Sequence, residues 1–378
     1  MNLHLDEDAF KVLINTISTK TGYRADVLEK DYYVVLVLEE LSQNQKAGLP
    51  AYFKGGTALY KAIKATNRFS EDIDLSVDIR DCVSRTQGDK RLEKASKKYT
   101  SLQRDAKQGK SNRSEVEAVY TYDPVVSYDE KDTLQRFGKL KVEATSFTIS
   151  EPTFSMEVSP MLYELATEEQ KQILKSNYGV APFSVETITI ERIFVDKLFA
   201  AEAYVRKSDE SNRAFEAAKH IYDLAVIYHH PQIRSLFQND KLMKRLLDIR
   251  VEEEKERHDG IPGVMPREFT FFEDSESNIA VKKAYTIMQN QYVLRSSDRI
   301  EFHDAIQRLT EIKASLLQSC AWRDYSVQIN DETVEQSSLY ASEPVSVRDR
   351  IARIKANRET NTEKLESDSL MKKDRNDR

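Results

Sequence analysis

The sequence predicts an α+β protein, with a small mixed sheet in its N-terminal half and a mostly helical C-terminal half. Three observations lead there. Glycine and proline are scarce, 10 and 9 of 378 residues, while Leu, Ala, Lys and Glu abound, a composition that favours helix. The short runs with strand-like alternation all lie before Thr187. From Thr187 onward, apolar residues recur at helical spacing in long blocks.

In chain order, residues 6–20 read as a helix, and Asp26 is placed to cap a second one through "VLEKDYYVVLVLEEL". "AYF" (51–53) reads as a strand, Gly55-Gly56 as a turn, Thr57 to Lys64 as a helix and "DIDLSVD" (72–78) as a strand. Residues 80–113 form a basic segment, expected helical, with eleven Lys or Arg against four acids. "GKLKVEATSF" (138–147) alternates Leu140, Val142 and Ala144 with polar residues, the pattern of a half-buried strand. "PTFSMEVSP" reads as another strand. "TITIERIFVDKLFAAEAYV" and "NRAFEAAKHIYDLAVIYHH" are strong helices, 251–274 reads as a loop, and two more helices cover roughly 277–292 and 301–320. Apolar density falls after Trp322. The expected division is 1–185, 186–325 and a polar, flexible tail over 326–378.

Composition narrows the function. A net charge of −6 excludes a globally basic nucleic-acid binder, so any such partner needs a local patch, and 80–113 offers one. The two cysteines, Cys82 and Cys320, make no CxxC and no disulfide framework, which fits a reducing cytoplasm. Asp6, Glu7 and Asp8 stand where a signal peptide would be basic and then apolar. The apolar run Val34 to Leu38 is far too short to span a bilayer, so no membrane partner is expected.

The chemistry concentrates in "YFKGGTALYKAIKATNRFSEDIDLSVD", residues 52–78. Strand alternation points Asp72 and Asp74 to one face, roughly 6–7 Å apart, where they repel each other. A divalent cation removes that repulsion. Mg2+ takes oxygen ligands and is held by one or two carboxylates together with substrate phosphates. Gly55 and Gly56 let backbone approach a ligand closely, and Thr57 stands at a helix start, where free amides meet an anion. A nucleoside triphosphate between this turn and the aspartates satisfies both halves. The reading is metal-dependent nucleotidyl transfer. The rival phosphate and calcium motifs, GxxxxGK[ST], GxGxxG and an EF-hand loop, are absent.

A third carboxylate is expected from a neighbouring strand, with Glu143 first and Glu157 in "FSMEVSP" as its competitor. The bland reading of Glu143 is a solvent-facing residue. Lys197 lies amid Ile193, Phe194, Ala200 and Ala201 on its helix and needs an anionic partner, which a triphosphate would supply. Its bland reading is a lysine that snorkels out between helices. Asp223, next to Leu224 and Ala225, either contacts the nucleotide's ribose or base, orients Lys197, or is a structural acid paired with Lys219.

Five segments in order carry a family resemblance: "LEKDYYVVLVLEEL", "FKGGTALYKA", "NRFSEDIDLSVD", "ERIFVDKLFA" and "KHIYDLAVIY". Together, over roughly 25–230, they resemble the AbiEii/AbiGii-type nucleotidyltransferase toxins of type IV toxin–antitoxin and phage-abortive-infection systems. The resemblance implies a DNA polymerase β-like nucleotidyltransferase domain joined to a helical domain. It maps the family's first motif onto Gly55, Gly56 and Thr57, and its metal motif onto Asp72 and Asp74, preceded by Arg68 and Ser70. Its lysine motif falls on Lys197 and its later aspartate motif on Asp223. Lys219 stands where the family often has arginine, keeping the charge without the planar fork. The resemblance further implies Mg2+, an NTP substrate, a tRNA 3′ end as acceptor and a separately encoded antitoxin. A protein side chain or small molecule as acceptor, and an NTP-binding regulator with weak transfer, remain the alternatives.

Overall fold

The computed structural model describes residues 1–127, 137–210, 212–257 and 260–325, and 1–325 form one compact unit. The tail expected over 326–378 lies outside the described residues. Two helices open the chain, α1 (Glu7–Thr21) and α2 (Ala25–Lys46). Strand β1 (Ala51–Lys54) runs directly into a short helix, α3 (Gly55–Thr57), which continues as a wider π turn over Ala58–Ala62. Next come β2 (Ile73–Val77), α4 (Arg85–Lys97), β3 (Gln103–Ser111), β4 (Glu115–Thr121), β5 (Lys139–Thr145) and β6 (Thr153–Val158). The helices α5 (Met161–Glu164) and α6 (Glu168–Tyr178) lead to β7 (Phe183–Ile188).

The rest of the described chain is helical: α7 (Ile190–Arg206), α8 (Arg213–Ile227), α9 (Pro231–Leu236), α10 (Asp240–Glu254), α11 (Phe271–Ser277), α12 (Ile279–Tyr292), α13 (Phe302–Leu316) and α14 (Cys320–Arg323). The expected α+β class, with a mixed sheet followed by helices, is what the chain adopts. No helix among the described residues is long and apolar enough to cross a membrane.

The seven strands form one sheet in the order β3-β4-β5-β2-β1-β7-β6. β2 pairs parallel with β5 and antiparallel with β1, and β1 pairs parallel with β7. Because side chains alternate, the apolar residues of β2 and β5 face a core: Ile73, Leu75, Leu140, Val142 and Ala144 are all buried. The polar members of the same strands share the opposite face. A single apolar core joins the sheet to α7, α8 and the later helices. A second cluster, built on Phe10, Tyr32 and Leu162, seats α1 against α2 and α5.

Several sequence expectations need correction. The helical reading of 80–113 holds only for α4; its second half is the edge strand β3, whose polar residues are nearly all exposed. An exposed edge strand has no apolar face to reveal it, so its periodicity is silent. β4 and β7 were not anticipated either. The helix after β1 starts at Gly55 rather than Thr57. Asp26 sits inside the first turn of α2, not at its cap, where its carboxylate accepts from the Val27 amide and from Arg24. The expected loop 251–274 begins within α10 and already contains the start of α11.

Candidate active site

The strand register lays out a row of charged side chains across five strands. Lys54 of β1 is partnered with Asp74 of β2, Asp74 with Glu143 of β5, Glu143 with Glu117 of β4, and Glu117 with Lys110 of β3. Adjacent positions in such a row stand about 5 Å apart, so three acids adjoin one another with a lysine at each end. Asp72 lies just before β2, one alternation from Asp74. All of these side chains line one cleft of about 450 Å³. Burial, then Glu143 and Asp72, push the carboxyl of Asp74 up to about 7. This is the electrostatic signature of a face short of positive charge.

The glycine turn is built around these acids. Gly55 has φ +79°, a backbone that side-chain-bearing residues rarely adopt, and a Cβ there would run into Asp74 Oδ2. A Cβ on Gly56 would stand 2.7 Å from the Arg68 guanidinium and 3.0 Å from Ser70 Oγ. The glycines are therefore required by Asp74, Arg68 and Ser70 as much as by any ligand. Thr57 has a different place from the one expected. It is buried, outside the cleft lining, and its hydroxyl donates to the Asp72 carbonyl and lies 3.0 Å from Ser70 Oγ. It fixes the approach to the aspartates.

The segment Glu29-Lys30-Asp31 of α2 braces the same region. Glu29 accepts the Val125 amide, Lys30 donates to the carbonyl of Lys139 at the start of β5 and pairs with Glu71 at 3.7 Å, and Asp31 pairs with Lys61 at 2.8 Å. One helix turn thus ties together β5, the entry to β2 and the π turn after the glycines.

From the other side, α7 and α8 close the cleft. Ile193, Asp196, Lys197, Ala200 and Tyr204 follow the face of α7, and Glu216, Lys219 and His220 that of α8. The partner of Lys197 is Asp223, at 2.7 Å. That carboxylate also receives a bidentate pair from Arg68, at 2.9 and 2.8 Å. Burial opposes the charge on Asp223, but Arg68 and Lys197 outweigh it and hold the carboxyl below the ordinary carboxylate range. Asp223 is fully buried, does not line the cleft and contacts Lys197, the placement expected of an acid that orients that lysine. Its expected partner Lys219 pairs with Glu216 at 2.7 Å.

The two candidates for a third carboxylate separate cleanly in space. Glu143 is the neighbour of Asp74, whereas Glu157 on β6 is partnered with Ser184 at the far edge of the sheet, outside the cleft. Further cleft residues escaped the sequence reading. Glu117 and Lys110 were hidden because β3 and β4 were not seen. Lys141 sits within ion-pair distance of Asp72 and Glu143, at 3.4 and 3.7 Å. Lys54 donates to Thr145 and Thr148. His220 stacks on Tyr204 at 5.4 Å with 9° between the rings; burial, and next Lys197, push its pKa well below the ordinary value and keep it neutral. Of these, only Lys141 carried a signal, as a lysine two residues before Glu143 on the same strand face.

Asp72, Asp74 and Glu143 suit a hard divalent cation in donor type. The raised pKa of Asp74 and the shared strand face both point to charge that a cation would relieve. Among the described residues, no three His, Cys, Asp or Glu side chains form a ready-made metal cage.

With this geometry in place, the sequence comparison is decisive. Residues 37–308 match the nucleotidyl transferase AbiEii toxin family of type IV toxin–antitoxin systems. The chain belongs to the AbiEii family. The match spans both the strands that carry the carboxylates and the helices that carry Lys197 and Asp223. Membership of a type IV family implies an antitoxin partner for this AbiEii protein. No curated protein matches the chain by sequence. Among solved structures, it is similar to MenT4, a nucleotidyltransferase toxin from Mycobacterium tuberculosis H37Rv, at 15% identity and a TM-score of 0.36, over 81% of this chain and 97% of that one. It is also similar to a structure described as a nucleotidyltransferase from H. pylori, at 16% identity and a TM-score of 0.32, over 76% and 95% of the two chains.

Proposed function

We propose that this AbiEii protein moves a nucleotide from an NTP to an acceptor hydroxyl, with a tRNA 3′ end as acceptor, in the cytoplasm and as the toxin of a phage-defence system. The observation that carries the reading is the placement of Asp74 and Glu143 side by side on one sheet face, with Asp72 just before β2, in a cleft also lined by Gly55, Gly56 and Lys197. Asp72 and Asp74, with Glu143 beside them, would hold Mg2+. When bound, the metal would supply charge stabilisation for an in-line displacement at the α-phosphate.

The chain's own groups have distinct tasks in this reading. The amides at the start of α3 and the ammonium of Lys197 bind the phosphates. Asp223 holds that ammonium in place and neutralises part of the charge on Arg68. A carboxylate on the floor, Glu143, takes the proton of the attacking hydroxyl as the new O–P bond forms and pyrophosphate departs. Residues 1–185 carry the carboxylates, and 186–325 bring Lys197. The tRNA assignment rests on the family resemblance and on the basic segment 80–113. That segment folds as α4 and the edge strand β3, and its Lys110 reaches the cleft.

The test is incubation of the protein with Mg2+, each labelled NTP in turn, and total tRNA or cell lysate. Label in tRNA is the expected result. Label in protein or in a small molecule moves the acceptor. NTP binding with no label in any fraction overturns the transferase reading in favour of a nucleotide-binding regulator. Asp72→Asn with Asp74→Asn should abolish transfer and leave the protein folded.

A further inference from the structure

We propose that Lys141 is a built-in counter-ion of the carboxylate floor, and that a divalent cation binds by displacing its ammonium from between Asp72 and Glu143. The inference rests on the proposed metal role of those carboxylates. Lys141 lies on β5, one alternation from Glu143 and therefore on the same sheet face. Its Nζ is 3.4 Å from Asp72 Oδ2 and 3.7 Å from Glu143 Oε2, so one ammonium bridges acids on two different strands.

Three features mark it as a place-holder rather than a fixed strut. First, both distances are ion-pair distances with no aligned hydrogen bond, so charge alone holds the ammonium there. The buried pair of Lys197 with Asp223, at 2.7 Å, is closer. Second, the side chain keeps 34% of its surface exposed, so it can swing out without crossing packed core. Third, the charge is needed: Asp72, Asp74, Glu143 and Glu117 share the face, and of the two lysines that end the row, Lys54 is turned to the hydroxyls of Thr145 and Thr148 and Lys110 stands beside Glu117, at the end away from Asp74. Without metal, Lys141 is the cation that makes this face tolerable. With metal, the same carboxylate oxygens are wanted by an ion of twice the charge, and two cations cannot share them. The displaced ammonium is then free to meet substrate phosphate.

The inference predicts a sign that an ordinary site lysine would not give. Lys141→Met removes the competitor, so the full chain should bind Mn2+ alone, without nucleotide, roughly tenfold more tightly in a calorimetric or paramagnetic-resonance titration. The metal-free variant should melt below wild type, and saturating Mn2+ should raise its melting temperature by more than it raises that of wild type. Lys141→Arg should bind Mn2+ as weakly as wild type, because it restores the charge. Lys141→Gln serves in place of the methionine variant if that one does not fold. Equal or weaker Mn2+ binding by the neutral variants overturns the inference. Absence of Mn2+ binding by wild type and every variant overturns the metal reading underneath it instead.

Discussion

Lys197 Nζ lies 2.7 Å from Asp223 Oδ2, inside a carboxylate that also holds Arg68 by two hydrogen bonds. One buried acid therefore joins two cations from different parts of the chain, one on α7 and one in the segment that leads into β2. The consequence is unequal sensitivity to mutation. Asp223→Ala leaves two buried cations unpaired and should cost about 3–5 kcal/mol of stability. Lys197→Met leaves the Arg68–Asp223 pair intact, so its folding cost should be clearly smaller while nucleotide transfer falls steeply. Denaturant titration of both variants reads the difference, and similar folding costs would contradict the arrangement.

The glycine turn makes a second prediction. Gly55→Ala combines a backbone at φ +79° with a Cβ aimed at Asp74 Oδ2, so both the strain and the displaced carboxylate count against it. A loss on the order of 1–2 kcal/mol is expected from the backbone alone. The more telling readout is Mn2+ affinity, which should weaken because the clash falls on a carboxylate proposed to hold the metal. Gly56→Ala meets Arg68 and Ser70 instead and should spare Mn2+ affinity more than it spares nucleotide affinity.

Thr57 separates a structural from a ligand-binding role. Its hydroxyl is buried and donates to the Asp72 carbonyl. Thr57→Val keeps the shape and removes that hydrogen bond, at a cost of about 1 kcal/mol or somewhat more because the carbonyl loses a buried partner. Transfer should drop through kcat, with KM for the NTP little changed. A rise in KM at constant kcat would restore the phosphate-binding role that the motif suggested.

The sequence made the strand that carries Asp74, with Asp72 just before it, legible because its apolar residues alternate with polar ones against a buried core. The same logic exposed β5 and Glu143. It fails for β3, whose residues are polar on both faces, and so Lys110 has no local signal; Glu117 lies on β4, where Val116, Ala118 and Tyr120 alternate with polar residues and the strand pattern was available. Lys197 was legible as a buried cation that needs an anion, since a helix face reports burial directly. Its contact with Asp223 stood among three readings of that acid, but which one holds was not legible, because the contact joins two helices and no local pattern encodes a tertiary register. Thr57 was misplaced for a related reason: a motif gives proximity to a ligand but not the direction of one hydroxyl.

Asp74 ties stability to pH with a definite sign. Its ordinary value is 3.8, and burial with Glu143 and Asp72 pushes it up to about 7 in the folded protein. Between those values the native state holds more protons than the unfolded chain, so stability falls as pH rises through this window and then levels off. Asp74→Asn removes the group that loses its proton. Without metal, the variant should match wild type near the acid end of the window and exceed it by on the order of 2 kcal/mol above about pH 8. Denaturation in a chelator across the pH range measures this, and a difference that does not change with pH would refute the assignment. The same titration makes protons compete with metal, so Mn2+ affinity should weaken below about pH 7.

The choice between Glu143, the first candidate from the sequence, and its competitor Glu157 is the sharpest contrast available. Glu143 is the register partner of Asp74 and lines the cleft; Glu157 lies across the sheet beside Ser184. Glu143→Gln should therefore lower kcat by at least the 10²-fold expected when a general base is lost. It should also weaken Mn2+ binding. A structural role would give neither effect without a matching loss of stability. Glu157→Gln should leave transfer, Mn2+ affinity and melting temperature near wild type, because its carboxylate faces solvent at an edge strand. The discriminating measurement is the ratio of the two kcat values under saturating metal and NTP. A ratio near one would mean that neither acid takes the proton, and the base would have to be sought among the remaining floor carboxylates, with Glu117 next in the row.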